Sequence, residues 1–199
     1  MKTYTGKTVD DAVSKACLDL GVTIDQLNYE VTLETKGLFS KKAEIACWTV
    51  EMVQEYIENL VRKILTDMQF EVETVSYVQD GRIYCNINTS NNSILIGKAG
   101  VILRAINLII KNAVSTTFKK RLEVSVDING YKEERYKKFA SMARKFGKTV
   151  LRTKADLKLD PMPADERKVM HQEIAKMDHL KTESKGEGKN RYMTISYVD

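Results

Sequence analysis

Cysteine and histidine are scarce in this chain: Cys17, Cys47 and Cys85 stand far apart, and there are two histidines in 199 residues. An odd, scattered set of thiols excludes a disulfide framework, and so few soft ligands exclude a zinc site. Free, buried thiols in a reducing cytoplasm are expected. No continuous apolar run approaches the roughly 18 residues that a bilayer span requires. The opening M-K-T-Y-T-G-K-T-V-D-D has no apolar h-region, so no secretory signal is expected. Catalytic patterns are missing too. The order of residues suggests no carboxylate cluster of metal-ligand character and no Cys-His or Ser-His-Asp arrangement. Only His171 and His179 are available as histidines for acid–base work. A protein that is not an enzyme, and that calls for no cofactor and no metal, is expected.

What is present suits a soluble α+β protein. Hydrophobic residues make up 43% and charged residues 30%, enough for packed cores and a hydrated surface. The net charge of +5 is unevenly spread. Residues 1–50 carry 6 basic and 7 acidic side chains, residues 51–128 carry 9 and 9, and residues 129–199 carry 17 and 11. The basic excess of the last third points to a polyanionic partner for one end of the molecule.

The most informative stretch is Ser93–Ile102, S-I-L-I-G-K-A-G-V-I. Gly97 and Gly100 lack a Cβ, so a phosphate backbone can approach the main chain closely. A helix starting near Gly100 would aim its free N–H groups and positive dipole end at the same place. Lys98 adds a mobile charge. From Gly97 to Arg121 there are six basic residues (Lys98, Arg104, Lys111, Lys119, Lys120, Arg121) and no acidic ones. A Walker loop is excluded because Asn92 and Ala99 stand where it needs glycine and Ser or Thr, and a Rossmann loop because Leu95 stands at its first glycine. A G-x-x-G tetrapeptide between an apolar run and a basic amphipathic helix resembles the loop of KH domains, which clamps the backbone of about four nucleotides.

Three units follow from periodicity and breakers. Residues 1–50 read as a β-α-β-β module: a strand at Tyr4, a helix capped by Thr8 and stopped by Gly21, and strands Tyr29–Glu34 and Ala43–Val50. Its helix places Val9, Ala12, Val13, Ala16, Cys17 and Leu20 inward, and the Thr35–Lys42 loop offers Leu38 and Phe39 beside lysines. Residues 51–128 begin with a helix over Glu51–Met68. Strands Phe70–Val78 and Arg82–Asn88 follow, joined by Gln79-Asp80-Gly81, then a short segment Asn91–Ile96, the loop, a helix and strand Leu122–Ile128. The helix after the loop is expected to bury Ile102, Leu103, Ile106, Ile109, Ile110 and Ala113. Residues 129–199 open with a long helix over Tyr131–Thr153 carrying eight basic and two acidic residues. Strand Asp156–Leu159, a helix started by Pro163, and strands Leu180–Ser184 and Arg191–Val198 complete the chain. Asp165 and Glu166 complement that helix's dipole, and Arg167 and His171, four apart, share one face.

P-M-P-A-D-E-R-K-V-M-H over 161–171 resembles the motif of an R-three-H domain, and residues 131–199 are similar to that domain throughout. This domain behind a KH domain, with T-G-K-T-V-D-D-A-V ahead of both, resembles the layout of the Jag family of bacterial RNA-binding proteins. The likeness covers nearly the whole chain, although the family's K-K-G-F-L-G reads T-K-G-L-F-S here.

The resemblance implies an α+β fold of three small domains: a Jag N-terminal domain (1–50), a type II-like KH domain (51–128) and an R-three-H domain (129–199). Gly97, Lys98, Ala99, Gly100 and the nearby Arg104 would contact RNA in the second, and Arg167 and His171 in the third. The expected partners are single-stranded RNA or single-stranded DNA, a small single-KH-domain protein, the membrane insertase and a second copy in a homodimer. The expected role is post-transcriptional control linked to cell elongation, cell shape and envelope biogenesis, in a membrane-proximal part of the cytoplasm. The alternative is a protein-interaction adaptor at the insertase or division machinery, with the KH domain used for dimerisation.

Overall fold

The computed structural model describes residues 1–36 and 41–199. Residues 37–40, which include the Leu38 and Phe39 of the expected apolar-basic loop, lie outside the described residues. The chain divides into two compact units, Met1–Asn129 and Gly130–Asp199.

The first unit opens with β1 (Lys2–Gly6), α1 (Val9–Leu20), β2 (Asn28–Lys36) and β3 (Lys41–Trp48), the strands forming an antiparallel sheet in the order β1-β3-β2. The ends of α1 follow from single residues. Thr8 Oγ1 accepts the Asp11 N–H at 3.2 Å, and Gly21 closes the helix in the left-handed region. Ala12, Val13 and Ala16 then pack against Leu27, Ile45 and Cys47.

The same unit continues with α2 (Val50–Asp67), β4 (Glu73–Gln79), β5 (Arg82–Asn88), α3 (Asn92–Ile96), a 3-10 turn at Lys98–Gly100, α4 (Val101–Phe118) and β6 (Val124–Ile128). Thr49 caps α2, which buries Val53, Ile57, Val61 and Leu65 at helical spacing. β4 and β5 form a hairpin whose two turn residues, Asp80 and Gly81, both have positive φ, as a two-residue primed turn requires. β6 runs parallel to β5, from Ile83↔Val124 to Ile87↔Ile128. A parallel neighbour needs a crossover, and α3, the Gly-Lys-Ala-Gly turn and α4 supply it. This order and pairing is the arrangement expected of a type II-like KH domain.

The buried face of α4 differs from the expected one. Leu103, Ile110, Val114 and Phe118 are buried, while Ile102 and Ile109 are exposed. Asn107 lies on the buried seam, and its Oδ1 accepts the Val126 N–H at 2.8 Å. V-I-L-R-A-I-N-L-I-I is apolar at nearly every position, so periodicity alone does not select a face. Met68, expected as the last residue of its helix, is exposed just beyond the end of α2. By length and composition the stretch Asn92–Phe118 could cross a membrane. The kink at the Gly-Lys-Ala-Gly turn divides it, and α4 packs on α2 and β6, so it is a core helix of this unit.

Among the cysteines, Cys47 and Cys85 are buried and Cys17 is half-buried. Burial, reinforced by the Glu58 carboxylate, pushes the Cys85 thiol up to about 12. Among the described residues no group of three or more His, Cys, Asp or Glu side chains is placed to hold a metal ion.

The second unit contains α5 (Tyr131–Thr153), β7 (Leu157–Lys158), α6 (Ala164–Ile174), β8 (Leu180–Lys185) and β9 (Tyr192–Tyr197), with an antiparallel sheet in the order β7-β9-β8. Ala143 and Val150 of α5, Met170 and Ile174 of α6, and Leu159, Met193 and Ile195 form its core. Pro163 sits one position earlier than expected, as the N-cap of α6, with extended ψ of 160°. Its fixed φ suits the cap, and its carbonyl accepts the Arg167 N–H at 3.0 Å.

Candidate nucleic-acid interface

Two places gather the predicted residues. In the first unit the Gly-Lys-Ala-Gly turn is a backbone feature. Gly97 adopts φ 71° and ψ 174°, a conformation essentially confined to glycine. A Cβ there would lie 2.7 Å from Ile102 Cγ1, so both conformation and space require glycine. Ala99 and Gly100 follow with φ of 54° and 75°. The Gly97 N–H donates to the Ser93 carbonyl and the Gly100 N–H to the Gly97 carbonyl, each at 3.0 Å, while the Val101 N–H donates to the Lys98 carbonyl. Of the N–H groups expected to be free there, those of Gly100 and Val101 are therefore used inside the turn. What the turn presents is an exposed Lys98 and Ala99 on a tight, strained backbone.

Arg104 has a second role beside its charge. Its Nη1 donates to the Ala99 carbonyl at 2.7 Å, bracing the residue held in the left-handed region. The six-residue basic stripe is shorter than the sequence suggests. Lys119 pairs with Glu30 at 2.8 Å, and Lys120 donates to Asn28 Oδ1 at 2.9 Å and lies over the Trp48 ring. These two lysines hold β2 against the end of α4, leaving Lys98, Arg104, Lys111 and Arg121 along the stripe. Nothing local in the sequence marks that diversion, because the partners lie about ninety residues away.

In the second unit the site is made of side chains. Arg167 and His171, one turn apart on α6, face Thr182 and Ser184, which alternate on one face of β8. Arg167 Nη1 donates to Ser184 Oγ at 2.9 Å and its Nε to the Met162 carbonyl at 3.3 Å. His171 Nδ1 is in hydrogen-bond contact with Thr182 Oγ1. With Ala164 and Lys168 these side chains line a shallow cleft of about 290 Å³. Two hydroxyls, two cations and an imidazole form a donor-rich set suited to phosphate oxygens. Sequence reasoning found Arg167 and His171 but missed Lys168, Thr182 and Ser184. The period-two spacing of T-E-S was the available signal, although nothing in it indicates which helix it faces.

Glu166 stands in the first turn of α6, as expected, and has a further role. It is buried, with its side chain 2% exposed, and accepts the Arg135 Nε–H at 2.5 Å. Arg135 also lies over the rings of Tyr131 and Phe139. Tyr136 Oη donates to Asp165 Oδ2 at 2.9 Å. Together these contacts fix the start of α6 against α5, and so set the direction in which Arg167 and His171 point.

The family model of the Jag N-terminus matches residues 4–46, and that of the R-three-H domain matches residues 137–197. RNA-binding protein KhpB of Clostridium symbiosum is 29% identical over 202 residues, covering 98% of this chain and 91% of that protein. RNA-binding protein KhpB of Bacillus subtilis is 29% identical over 210 residues, covering 98% and 97%. The protein of that name from Streptococcus pneumoniae is 29% identical over 146 residues, covering 73% of this chain and 44% of its own length. Two family domains in the right order, with relatives similar from end to end, support one family for this chain, that of Jag.

Proposed function

We propose that this protein is a non-enzymatic RNA-binding regulator that holds single-stranded RNA at two places. The observation that carries this reading is the Gly-Lys-Ala-Gly turn. Its backbone is strained, braced by Arg104 and closed by an Ile102 contact that no other residue than glycine permits at position 97. Strain of this kind costs of order 1–3 kcal/mol and persists where function needs it. The turn, with Lys98, would clamp a short unpaired stretch, and the Arg167–His171 cleft would hold phosphate. Linked sites raise effective concentration, so two modest contacts give useful affinity. The R-three-H match and the relatives named as RNA-binding proteins support the same partner. Single-stranded DNA would compete to a degree set by contacts to the 2′-OH.

The finer role follows the family resemblance: post-transcriptional control tied to elongation, cell shape and envelope biogenesis, in the cytoplasm near the membrane. The partners proposed on that basis are a small single-KH-domain protein and the membrane insertase. Titration of fluorescent single-stranded RNA at two salt concentrations tests the central reading. Affinity should fall with salt with a slope of about −0.7 per neutralised phosphate. Salt-insensitive binding would defeat it.

One observation favours the adaptor reading with KH-domain dimerisation. The side of α4 turned away from its own sheet exposes Ile102, Leu108 and Ile109, with Leu108 at 59%. An apolar patch on a helix face is a common protein-contact surface. Sedimentation of the wild type and a Leu108→Asp, Ile109→Asp variant decides it: a dimer that the variant abolishes supports dimerisation through this face, and a monomer in both removes it.

A further inference from the structure

Seven of the eight basic residues of α5, all but Lys132, fall into two sets. Arg135, Lys137 and Arg144 are paired, with Glu166, Glu133 and Glu173. Lys138, Lys145, Lys148 and Arg152 are exposed and form no ion pair with any described residue. Positions separated by seven, three and four residues fall on one side of a helix, so these four cations form a single line. At 1.5 Å per residue the line is about 21 Å long. Ser141 and Thr149 lie on the same side and are also exposed. The nearest acidic residue on it is Glu134, one turn before Lys138, where it complements the helix dipole.

Folding does not account for this line. Lys145 with Lys148 and Lys148 with Arg152 are like-charge neighbours at the spacings that destabilise a helix, by about 0.2–0.5 kcal/mol each. Arg152 complements the dipole in the last turn, but Lys145 and Lys148 have no such role. The opposite side of α5, with Phe139, Met142, Ala143 and Phe146, packs on the core of the unit.

We propose that this outward face of α5 is a further nucleic-acid contact, tracking the sugar–phosphate backbone of single-stranded RNA independently of its sequence. The proposal rests on the reading of the chain as an RNA-binding protein and adds a site to the turn and the cleft. The chemistry of the face selects the occupant. It presents cations and short hydroxyl side chains that let phosphates approach. Between Lys138 and Arg152 it carries no aromatic ring on which a base would stack, so it grips backbone and not bases. It carries no apolar residue to insert among acyl chains, as a helix lying on a membrane requires.

The test compares the full chain with a Lys138→Gln, Lys145→Gln, Lys148→Gln, Arg152→Gln variant. Fluorescent poly-uridine RNAs of two lengths are titrated at two salt concentrations, and the circular dichroism melt checks the fold. The expected result is an unchanged or slightly raised melting temperature and a loss of about tenfold in affinity for the longer RNA. The salt slope should shallow by about 0.7 for each phosphate contact removed. A Lys145→Glu, Lys148→Glu variant should lose at least as much, and keeps the test available should the fourfold variant misfold. Wild-type RNA binding matched by the variants in affinity and slope overturns this face while leaving the proposed function standing. A wild type that binds no RNA overturns both. Variants that lose binding to anionic phosphatidylglycerol vesicles but retain full RNA affinity also overturn it, in favour of a lipid surface.

Discussion

The two predicted contacts are built in opposite ways. The Gly-Lys-Ala-Gly turn is made of main chain: glycine conformations, three backbone hydrogen bonds and one arginine brace set its shape, and a single cation projects from it. The Arg167–His171 cleft is made of side chains from a helix and a strand, and its shape depends on how α6 is anchored to α5. The first should lose its shape when its backbone is altered and keep that shape when the side chains it exposes are changed. The second should break when its anchor is removed and tolerate local backbone changes poorly or well according to that anchor alone.

The largest effect should come from the anchor. Glu166→Ala leaves Arg135 partly buried without its carboxylate, and breaking such a pair costs about 3 kcal/mol. Calorimetry should show destabilisation of the second unit with the first unit's transition unmoved. The next largest should come from Gly97→Ala, which adds a Cβ 2.7 Å from Ile102 Cγ1 at a positive φ. A cost of about 2 kcal/mol, together with loss of RNA affinity, is expected in chemical denaturation and titration. Equal stability in Gly97→Ala and wild type would show that the turn is not the strained element described.

Arg104→Ala sharpens the contrast between brace and contact. Losing its bond to the Ala99 carbonyl should cost about 1 kcal/mol and several-fold in affinity. Because the effect is on loop shape, the salt slope should barely change. A slope shallower by about 0.7 would instead make Arg104 a direct phosphate ligand.

The smallest effect concerns Glu173. Hydrogen bonds from Lys176 and Arg144 hold its carboxyl below the usual range. A depressed folded-state value stabilises the protein above the unfolded value of about 4.3, and that stabilisation is lost as pH falls through the folded one. Wild type should therefore exceed Glu173→Gln in stability at neutral pH, with the gap closing in acid. A gap that persists unchanged to low pH would assign the effect to packing.

How much of this was legible in the sequence follows the same division. The turn could be read because its four residues are contiguous and glycine is informative by itself. The ends of α1 could be read because Thr8 and Gly21 act within their own helix. The buried side of α4 could not, because apolar residues occupy almost every position, and the deciding residue is Asn107, a polar one bonded to β6. The diversion of Lys119 and Lys120 to Glu30 and Asn28 could not be read either, since it depends on how β2 meets α4. Half of the cleft was visible as a helical pair, and the strand half, Thr182 and Ser184, emerged only once β8 was placed beside α6. Local conformation is written locally, whereas a site assembled from distant segments is written only in the fold.

The most direct measurement is the affinity for fluorescent single-stranded RNA of the wild type and a Lys98→Asp, Ala99→Asp variant, at low and moderate salt. Aspartate tolerates the left-handed region that position 99 occupies, so the variant should remain folded, as circular dichroism would verify. Two carboxylates at the turn would repel phosphate, and a loss of affinity of about tenfold or more is expected, greatest at low salt. A folded variant that binds RNA as tightly as the wild type would contradict the assignment of the Gly-Lys-Ala-Gly turn as an RNA contact.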